Sequence, residues 1–409
     1  MKNTILYIKR DNYYYIKNNN NGFIMKLDDD HFNLFLNQNN NLIVKLERAN
    51  FFVKKNNSTS CSIFVVVNNS CNLNCPYCFE KNKSKECFDD NSIEKLSIIL
   101  KNILLENKID SLVLTFTGGE PLLKFDFVKK ITDEIGQVCL KLNVQINFSL
   151  ITNGTLFTIK MLNYLNLKKF DIQITLDGIR EMHNKIRFFS NKNGTFDVII
   201  KNLNVIKNYS DLRTTIRINI SNPNFELYKD LFIYLFNNCP KYRIYIDFVD
   251  VEKSSKYFMS DLEKMSFFNK YILLLLQNNR RDFYNYSEGG NCMIRDKLSF
   301  TIDSNLNFFR CYSFVGREFL KSNSYSILLK SFSKDNFTCS KLECDLYDFC
   351  RGGCIYKDFI INNSMKINCK YLFLKEMNSL IFIDEVYKDI NVFDYRKVLD
   401  NVKYITIDI

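Results

Sequence analysis

The sequence predicts an α/β protein whose main part is a partial (β/α)6 barrel of parallel strands and crossover helices. The first observation is that apolar strand-like runs alternate with amphipathic helical stretches from Ser62 to about residue 285, the pattern of repeated βα units. The second is a change of composition after Gly289, where cysteines recur in a stretch with few long segments of helical or strand-like hydrophobic periodicity. These observations predict four parts, at residues 1–60, 61–288, 289–372 and 373–409.

The first part reads as a small α+β unit. Strand-like runs flank Asn21-Gly22, a dipeptide typical of tight hairpin turns, and a helical stretch follows from Asp28. Two roles remain open for this unit: it docks a peptide, or it only covers the edge of the next domain. For the last part, the sequence predicts a helix and a terminal strand.

Six strand candidates lie in the main part, at 62–67, 111–117, 143–152, 169–176, 214–220 and 243–249. In parallel α/β folds, functional side chains usually lie on the loops at the carboxyl ends of the strands. We therefore expect the chemistry of this protein directly after these runs.

A chain of 409 residues, 46% of them hydrophobic, buries a sizeable core and has room for two or three domains. The apolar run at 271–276 is far too short to span a bilayer, and no signal-like stretch follows the first charges. We therefore expect a cytoplasmic protein without membrane contact.

The formal charge of +11 is compatible with an anionic partner such as nucleic acid or an acidic peptide. The basic residues, however, form no long run and lack regular aromatic interleaving. A biased composition explains the charge more simply, and we do not expect nucleic acid as a partner.

Fourteen cysteines occur in the chain, against two histidines, His31 and His183. A reducing cytoplasm disfavours a disulfide framework, so metal or cluster ligation is the leading use of these thiols. Zinc would depend almost wholly on thiolates here, whereas iron–sulfur clusters are normally held by thiolates alone. The scarcity of histidine favours clusters and leaves zinc open.

The sharpest motif is Cys71, Cys75 and Cys78, directly after the first strand candidate of the main part. Three such thiolates bind three irons of a cubane and leave the fourth iron without a protein ligand. The alternative is a zinc site completed by a distant fourth cysteine. The C-x3-C-x2-C spacing, with Tyr77 before the last cysteine, resembles the signature of the radical S-adenosylmethionine (SAM) superfamily.

That resemblance implies a 4Fe-4S cluster on these cysteines, whose open iron chelates S-adenosylmethionine and cleaves it to a 5′-deoxyadenosyl radical. Three more motifs follow in the family's order, GGEP at 118–121, TNGT at 152–155 and TLDG at 175–178. By the same resemblance, the cofactor-binding residues are Tyr77, Gly118, Gly119, Glu120, Thr152, Asn153, Thr175, Asp177 and Arg187.

Each of these residue types has a physical reason to be there. Glycines let the backbone approach a bound ligand closely, and we expect Glu120 to accept a hydrogen bond from the cofactor's ammonium group. Arg187 lies in a stretch that resembles the family's D-G-x4-H-x3-R and is the candidate partner of the cofactor's carboxylate. Ordinary loop packing remains the alternative for His183 and Arg187.

The C-terminal cysteines resemble the SPASM domain, an iron–sulfur domain with a seven-cysteine pattern. By that resemblance, the first auxiliary cluster is held by Cys292, Cys311 and Cys354, and the second by Cys339, Cys344, Cys350 and Cys369. The first cluster would keep one open site, for a substrate thiolate or for a closing water or distant residue.

Two departures from the SPASM pattern concern loop geometry. Four residues separate Cys339 from Cys344 where the family has two, and Leu306 stands where the family has glycine. We expect Asn305 to supply the left-handed turn that this glycine would otherwise provide.

The resemblance implies a radical SAM maturase that oxidatively modifies a ribosomally made precursor peptide, forming a thioether or carbon–carbon crosslink, with flavodoxin or ferredoxin as electron donor. No catalytic side chain is assigned beyond the cluster. The first alternative is an anaerobic sulfatase-maturating enzyme. Those enzymes carry an acidic residue directly after the cysteine that matches Cys311, where this chain has Tyr312. The second alternative is a non-catalytic iron–sulfur or zinc protein.

Overall fold

The computed structural model describes residues 2–52, 59–78, 87–280, 282, 293–294, 296, 298–317, 320–330, 344, 354–362, 371–387 and 401–408. Within these residues the strands form two sheets, one of four strands and one of eight. The smaller sheet contains the N-terminal part, and the larger one is the barrel.

The N-terminal part is a hairpin sheet with two short helices. Its elements are Lys2–Arg10 (β1), Tyr13–Asn18 (β2), Ile24–Leu27 (β3), Asp29–Leu36 (α1) and Asn40–Arg48 (α2). Asp28 and Asn39 cap the helices, because their side chains accept hydrogen bonds from N–H groups of the first turns. The Asn21-Gly22 turn joins β2 to β3.

The fourth strand of this sheet comes from the other end of the sequence. Lys403–Asp408 (β12) pairs antiparallel with β1, so that Lys2 lies opposite Asp408. The strand order is β12-β1-β2-β3. The segments predicted as separate parts, 1–60 and 373–409, therefore share one sheet.

Six parallel strands form the centre of the larger sheet, which confirms the predicted fold class. Their bounds are Ser60–Val66 (β4), Ser111–Thr117 (β5), Gln145–Thr152 (β6), Asp171–Leu176 (β7), Arg213–Ile220 (β8) and Arg243–Phe248 (β9). They lie side by side in chain order, each parallel to the next. The predicted runs match these bounds to within two residues at either end.

Helices connect these strands. They are Asp90–Glu106 (α3), Phe125–Leu142 (α4), Ile159–Leu167 (α5), Arg180–Ile186 (α6), Phe196–Ile206 (α7), Glu226–Asn238 (α8) and Asp261–Gln277 (α9). Local signals fix several starts: Asp89 and Thr158 accept first-turn N–H groups, and Ser260 forms a capping box before α9. No helix in the described part of the chain is long and apolar enough to cross a bilayer.

The cysteine-rich part begins by extending the barrel sheet. Phe300–Ile302 (β10) runs parallel to β4, and Phe308–Phe309 (β11) runs antiparallel to β10. The helices described after them are Tyr325–Lys330 (α10), Ile355–Asn362 (α11) and Tyr371–Val386 (α12). This arrangement brings residues after 300 alongside β4, the first of the six barrel strands, next to the cysteine loop.

Strand β1 is buried on both of its faces. Ile5 packs into a cluster of the N-terminal part, whereas Leu6 and Ile8 belong to the main core between the barrel strands and their helices. Alternate residues of a strand point to opposite sides. The N-terminal sheet is therefore joined to the barrel by apolar contacts.

Candidate active site

The carboxyl ends of the barrel strands surround a cavity of about 190 Å³. Its wall is completed by the loop after β4 and by residues 312–313 and 356. The predicted site residues in this wall are Cys71, Cys75, Tyr77, Cys78, Gly118, Gly119, Thr152, Asn153, Thr175 and Arg187. The strand-end motifs therefore meet at one place, as expected from their positions.

The three cysteines after β4 share the cavity wall. The Cys78 N–H donates to the Cys75 carbonyl at 3.2 Å, which makes the loop compact. The Cys71 sulfur accepts the Leu73 N–H at 3.4 Å. Among the described residues, no three His, Cys, Asp or Glu side chains converge on a single metal ion. The thiols border a common space and do not meet at one point.

Gly118 and Gly119 bring the end of β5 against the loop that carries the cysteines. The N–H groups of Gly119 and Glu120 donate to the carbonyls of Asn68 and Ser70, each at 2.8 Å. A Cβ at Gly118, whose φ is 137°, would lie 2.4 Å from the Asn68 oxygen, and one at Gly119 would lie 2.2 Å from the Ser70 oxygen. The close approach predicted for a ligand is therefore also an approach to the protein's own backbone.

Glu120 lies behind the cavity wall. It is fully buried, and its carboxylate accepts hydrogen bonds from the Leu122 N–H at 3.0 Å, the Thr152 hydroxyl at 2.7 Å and the Asn153 N–H at 2.8 Å. Burial raises the pKa of Glu120, and these hydrogen bonds oppose that rise. Within the protein, the carboxylate positions the ends of β5 and β6; its contact with a cofactor ammonium stays a prediction.

Side-chain amides tie the segment after β6 to the cysteine loop. Asn153 Nδ2 donates to Asn72 Oδ1 at 2.8 Å, and Asn72 Nδ2 donates to Thr155 Oγ1 at 2.9 Å. Thr155 closes the ring, since its N–H and its hydroxyl both donate to Asn153 Oδ1. The ring fixes Asn72, the residue that follows the first cysteine of the motif.

Asp177, at the end of β7, is the centre of a buried polar network. Its Oδ2 accepts from the Tyr77 hydroxyl and, at 3.5 Å, from Arg187 Nη1, while its Oδ1 accepts the Asn219 N–H at 3.1 Å. Burial and the Asp177 charge raise the pKa of Tyr77, so the phenol stays protonated. Asp177 has no exposed surface; it positions Tyr77 and Arg187, which do line the cavity.

His183 supports this network from the side away from the cavity. Its Nδ1 accepts the Asp177 N–H at 3.1 Å, and its Nε2 lies 2.9 Å from the Thr195 hydroxyl. That hydroxyl donates to the Arg187 carbonyl at 2.9 Å, so Nε2 is assigned the ring proton. Burial and the nearby Arg187 charge lower the pKa of His183 to about 3. The ring is a neutral spacer, which agrees with the packing alternative.

Arg187 presents unused hydrogen-bonding capacity to the cavity. Its Nη1 donates to Tyr77 and Asp177, but its Nε is buried without a hydrogen-bond partner. A buried guanidinium N–H without an acceptor is unfavourable. A carboxylate bound in the cavity would satisfy it, and together with the three thiols this fits a cluster that carries S-adenosylmethionine.

A chain of charges forms the opposite side of the cavity. Arg217 of β8 donates to Asp247 of β9 at 2.8 Å, and Lys357 of α11 lies 3.4 Å from both Asp247 and Asp250. Burial disfavours the Lys357 charge, but the two carboxylates outweigh it and raise the pKa of Lys357 well above its usual value. The phenol of Tyr312 interacts electrostatically with the Arg217 charge. This second half therefore connects two barrel strands to the cysteine-rich part.

Three of the predicted auxiliary ligands are described. Cys311 and Cys354 pack on the same small hydrophobic cluster, around Phe314 and Tyr356, and Cys344 is half-buried. Four further predicted ligands, Cys292, Cys339, Cys350 and Cys369, lie outside the described residues. The pairing of Cys311 with Cys354 in one cluster stays a prediction.

The left-handed turn before Cys311 is made by Leu306, with φ 61°, and not by Asn305 as predicted. The reason is local: the carboxylate of Asp303 accepts the N–H groups of Asn305 at 3.0 Å and Asn307 at 2.9 Å. These bonds fix the residues on either side and leave Leu306 to reverse the chain. The position that holds glycine in the SPASM pattern therefore keeps its conformation here.

Sequence reasoning missed the second half of the cavity. Arg217, Asn219, Asp250 and Tyr356 line it, and none was singled out. A signal existed on β8, where Thr215, Arg217 and Asn219 alternate with isoleucines and so share one face of the strand. Polar residues on the inner face of a barrel strand point toward the site.

The sequence profile described as Radical SAM superfamily matches residues 65–226. This chain contains a radical SAM domain. The matched segment contains the cysteine motif and the three strand-end motifs, so the radical SAM domain is the part of the chain that builds the cofactor side of the cavity.

Relatives of this radical SAM chain include a cysteine-type anaerobic sulfatase-maturating enzyme of Clostridium novyi. The two are 26% identical over 326 residues, which is 70% of this chain and 85% of that protein. The likeness therefore extends well beyond the radical SAM domain in sequence.

Two solved structures share the fold. The enzyme anSMEcpe with bound AdoMet and the Kp18Cys peptide aligns with a TM-score of 0.65 and 20% identity, over 81% of this chain and 100% of that one. SuiB of Streptococcus suis, bound to its precursor peptide SuiA, aligns with a TM-score of 0.53 and 16% identity, over 91% and 99%. At these identities the likeness concerns the fold.

Proposed function

We propose that this protein is a cytoplasmic radical SAM maturase that oxidatively modifies a ribosomally made peptide. The observation that carries the proposal is the two-sided cavity. One side offers three thiols and the unpartnered Nε of Arg187, and the other offers a separate polar wall around Arg217 and Asp250. A cavity with two chemically distinct walls suits two reactants.

The cofactor side would hold a 4Fe-4S cluster through Cys71, Cys75 and Cys78. When bound and reduced, this cluster with S-adenosylmethionine supplies a 5′-deoxyadenosyl radical that removes a hydrogen atom from a substrate. The residues of the chain position and shield the reactants: Arg187 would pair with the cofactor's carboxylate, and the Asp177 network holds Arg187 in place.

A peptide substrate is supported by the relatives' fold. The solved structures of anSMEcpe and SuiB each contain a bound peptide, and this chain covers nearly the whole of both proteins. The side of the cavity that includes Tyr312 and Tyr356 would receive the peptide. Auxiliary clusters held by the predicted SPASM cysteines would accept the second electron, and a flavodoxin or ferredoxin would supply the first.

The relatedness to sulfatase-maturating enzymes favours a second candidate, oxidation of a sulfatase cysteine to formylglycine. One residue argues for crosslinking instead. The position directly after Cys311 is Tyr312, whose ring stacks on Phe64 with centroids 5.2 Å apart and whose phenol interacts with the Arg217 charge. A neutral phenol held in this way is a poor proton acceptor compared with a carboxylate.

The first test is cofactor chemistry. The protein is purified without oxygen, reconstituted with iron and sulfide, and given S-adenosylmethionine and dithionite. We expect about 12 irons per chain, as three cubanes require, and release of 5′-deoxyadenosine. Low iron with bound zinc and no deoxyadenosine would overturn the proposal in favour of a binding protein.

The second test separates the two reactions. The holoenzyme is incubated with Cys-containing peptides, both sulfatase-derived and encoded near its gene, and the products are read by mass spectrometry. A crosslink removes two hydrogens and keeps the sulfur, whereas formylglycine formation removes the sulfur. An aldehyde that reacts with hydrazine probes would therefore assign the sulfatase-maturating activity and reject crosslinking.

A further inference from the structure

A second cavity, of about 580 Å³, lies at the opposite end of the barrel. It opens between the loop that leads from α7 into β8 and the loop that leads from α8 into β9. Its volume falls within the range of small-molecule sites, about 300 to 1,000 Å³. None of its lining residues belongs to the cavity with the cysteines.

The rim of this cavity is cationic. Lys207, Arg213, Lys241 and Arg243 line it, all exposed, and its described lining includes no Asp or Glu. Arg213 is paired with Asp171 at 2.5 Å. Lys241 and Arg243 have no ion pair within the described part of the chain. Two of the four cations are therefore free to meet an anion from solution.

Helix ends do not account for these two cations. Lys207 is the C-cap of α7, where a positive charge complements the helix dipole. Lys241 and Arg243 instead lie beyond α8, in the loop and at the first position of β9. Their charge needs another explanation.

The floor of the cavity differs from its rim. Leu212 and Tyr242 are buried there, 7% and 5% exposed, and give it an apolar, partly aromatic surface. Thr214 is 4% exposed and also lines the cavity, and its hydroxyl has no hydrogen-bond partner. A buried hydroxyl without a partner is unfavourable unless a ligand or water satisfies it.

We propose that this cavity is a binding site for a nucleoside phosphate. Phosphate oxygens would pair with Lys241 and Arg243 at the rim, and the ring system would lie against the exposed edges of Leu212 and Tyr242. Rotation of the Thr214 side chain would bring its buried hydroxyl to a polar atom of the nucleoside. The inference does not depend on the proposed function, because it uses the other end of the barrel.

ADP is the probe. Reconstituted, unreduced holoenzyme is first saturated with S-adenosylmethionine, so that the cavity with the cysteines is occupied, and is then titrated with ADP by calorimetry. We expect one ADP site per chain, with adenosine and pyrophosphate each bound about tenfold or more weakly, because each lacks one of the two matching parts. Absence of saturable ADP binding would overturn the proposal.

Variants locate the site. Lys241→Ala with Arg243→Ala should weaken ADP binding about tenfold or more, while Thr214→Val, which keeps the shape, should weaken adenosine and ADP alike. Lys160→Ala, an exposed lysine on α5 outside both cavities, is the matched control. Binding that survives the double substitution would place ADP elsewhere, and pyrophosphate binding as tightly as ADP would exclude nucleoside recognition.

Discussion

The two sides of the cysteine cavity are held by different kinds of contact. On the cofactor side, a single buried ion pair, Arg187 with Asp177, lies among neutral hydrogen bonds that join Asn72, Asn153 and Thr155. On the other side, Arg217 and Lys357 pair with carboxylates from another strand and loop. The first side comes from compact motifs, and the second comes from distant segments brought together by folding.

This difference explains what each side tolerates. Neutral hydrogen bonds to backbone groups fix geometry and depend little on salt, whereas a buried chain of ion pairs requires every member to be present. The cofactor side is therefore expected to lose function when altered, and the opposite side to lose stability as well.

The largest expected effect is the loss of an enzymatic activity, and we expect a different activity to be lost from each side. Cys75→Ala should reduce deoxyadenosine formation to background, because a cubane without this ligand is not held. Cys354→Ala should leave deoxyadenosine formation intact and block product. Both are measured by chromatography of nucleosides and mass spectrometry of the peptide. Equal loss of both activities in Cys354→Ala would mean that this cysteine is structural, and the contrast between the sides would fail.

Next in size is the loss of the half-buried Lys357 from the ion-pair chain. Lys357→Met leaves Asp247 and Asp250 without their shared partner, and we expect the free energy of unfolding to fall by about 1–3 kcal/mol. Urea denaturation without oxygen measures it, with the exposed Lys160→Met as control. Unchanged stability would show that the chain of charges is not a structural connection.

A smaller effect is expected from Arg187 on the cofactor side, whose Nε lacks a hydrogen-bond partner. Arg187→Leu should raise the dissociation constant for S-adenosylmethionine about tenfold to a hundredfold, the range of a lost hydrogen-bonded charge pair. Equilibrium dialysis against the reconstituted, unreduced protein measures it. Arg217→Leu, on the opposite side, should leave this dissociation constant unchanged. An equal rise in both variants would mean that both sides of the cavity bind S-adenosylmethionine.

The smallest effect near neutral pH is a pH dependence of stability. The pKa of His183 is lowered from 6.5 to about 3 by burial, so the folded protein keeps a neutral ring where the unfolded chain takes up a proton. This contribution is complete above pH 6.5 and falls by about 1.4 kcal/mol for each pH unit below it, down to the folded pKa.

Nitrogen NMR tests the origin of that dependence, because the chain has only two histidines. With labelled histidine, the His183 signal should show the Nε2–H tautomer and stay constant from pH 8 to pH 5; His31→Gln assigns the signals. A ring that titrates in this interval would contradict the neutral spacer on which Arg187 and Asp177 depend.

The two sides of the cavity also differ in how much of their structure could be predicted from the sequence. Strand bounds and the positions of the cysteine and strand-end motifs were predicted, because alternation and spacing are local properties of a chain. The pairing of Arg217 with Asp247, and of Lys357 with Asp250, could not be predicted, because the sequence around one residue of a pair does not identify the other. Glu120 was assigned to the ligand because its motif is local, but its burial depends on how β5 and β6 meet.

The antiparallel pairing of β1 with β12 has a consequence for biosynthesis. Lys2 finds its partner, Asp408, only after the whole barrel has been made. Contacts between such distant positions form slowly, and a waiting edge strand is exposed to wrong partners. Strand β1 is translated before the barrel but is completed after it, and a ribosome stalled anywhere in the barrel would hold a protein whose β1 lacks its β12 neighbour.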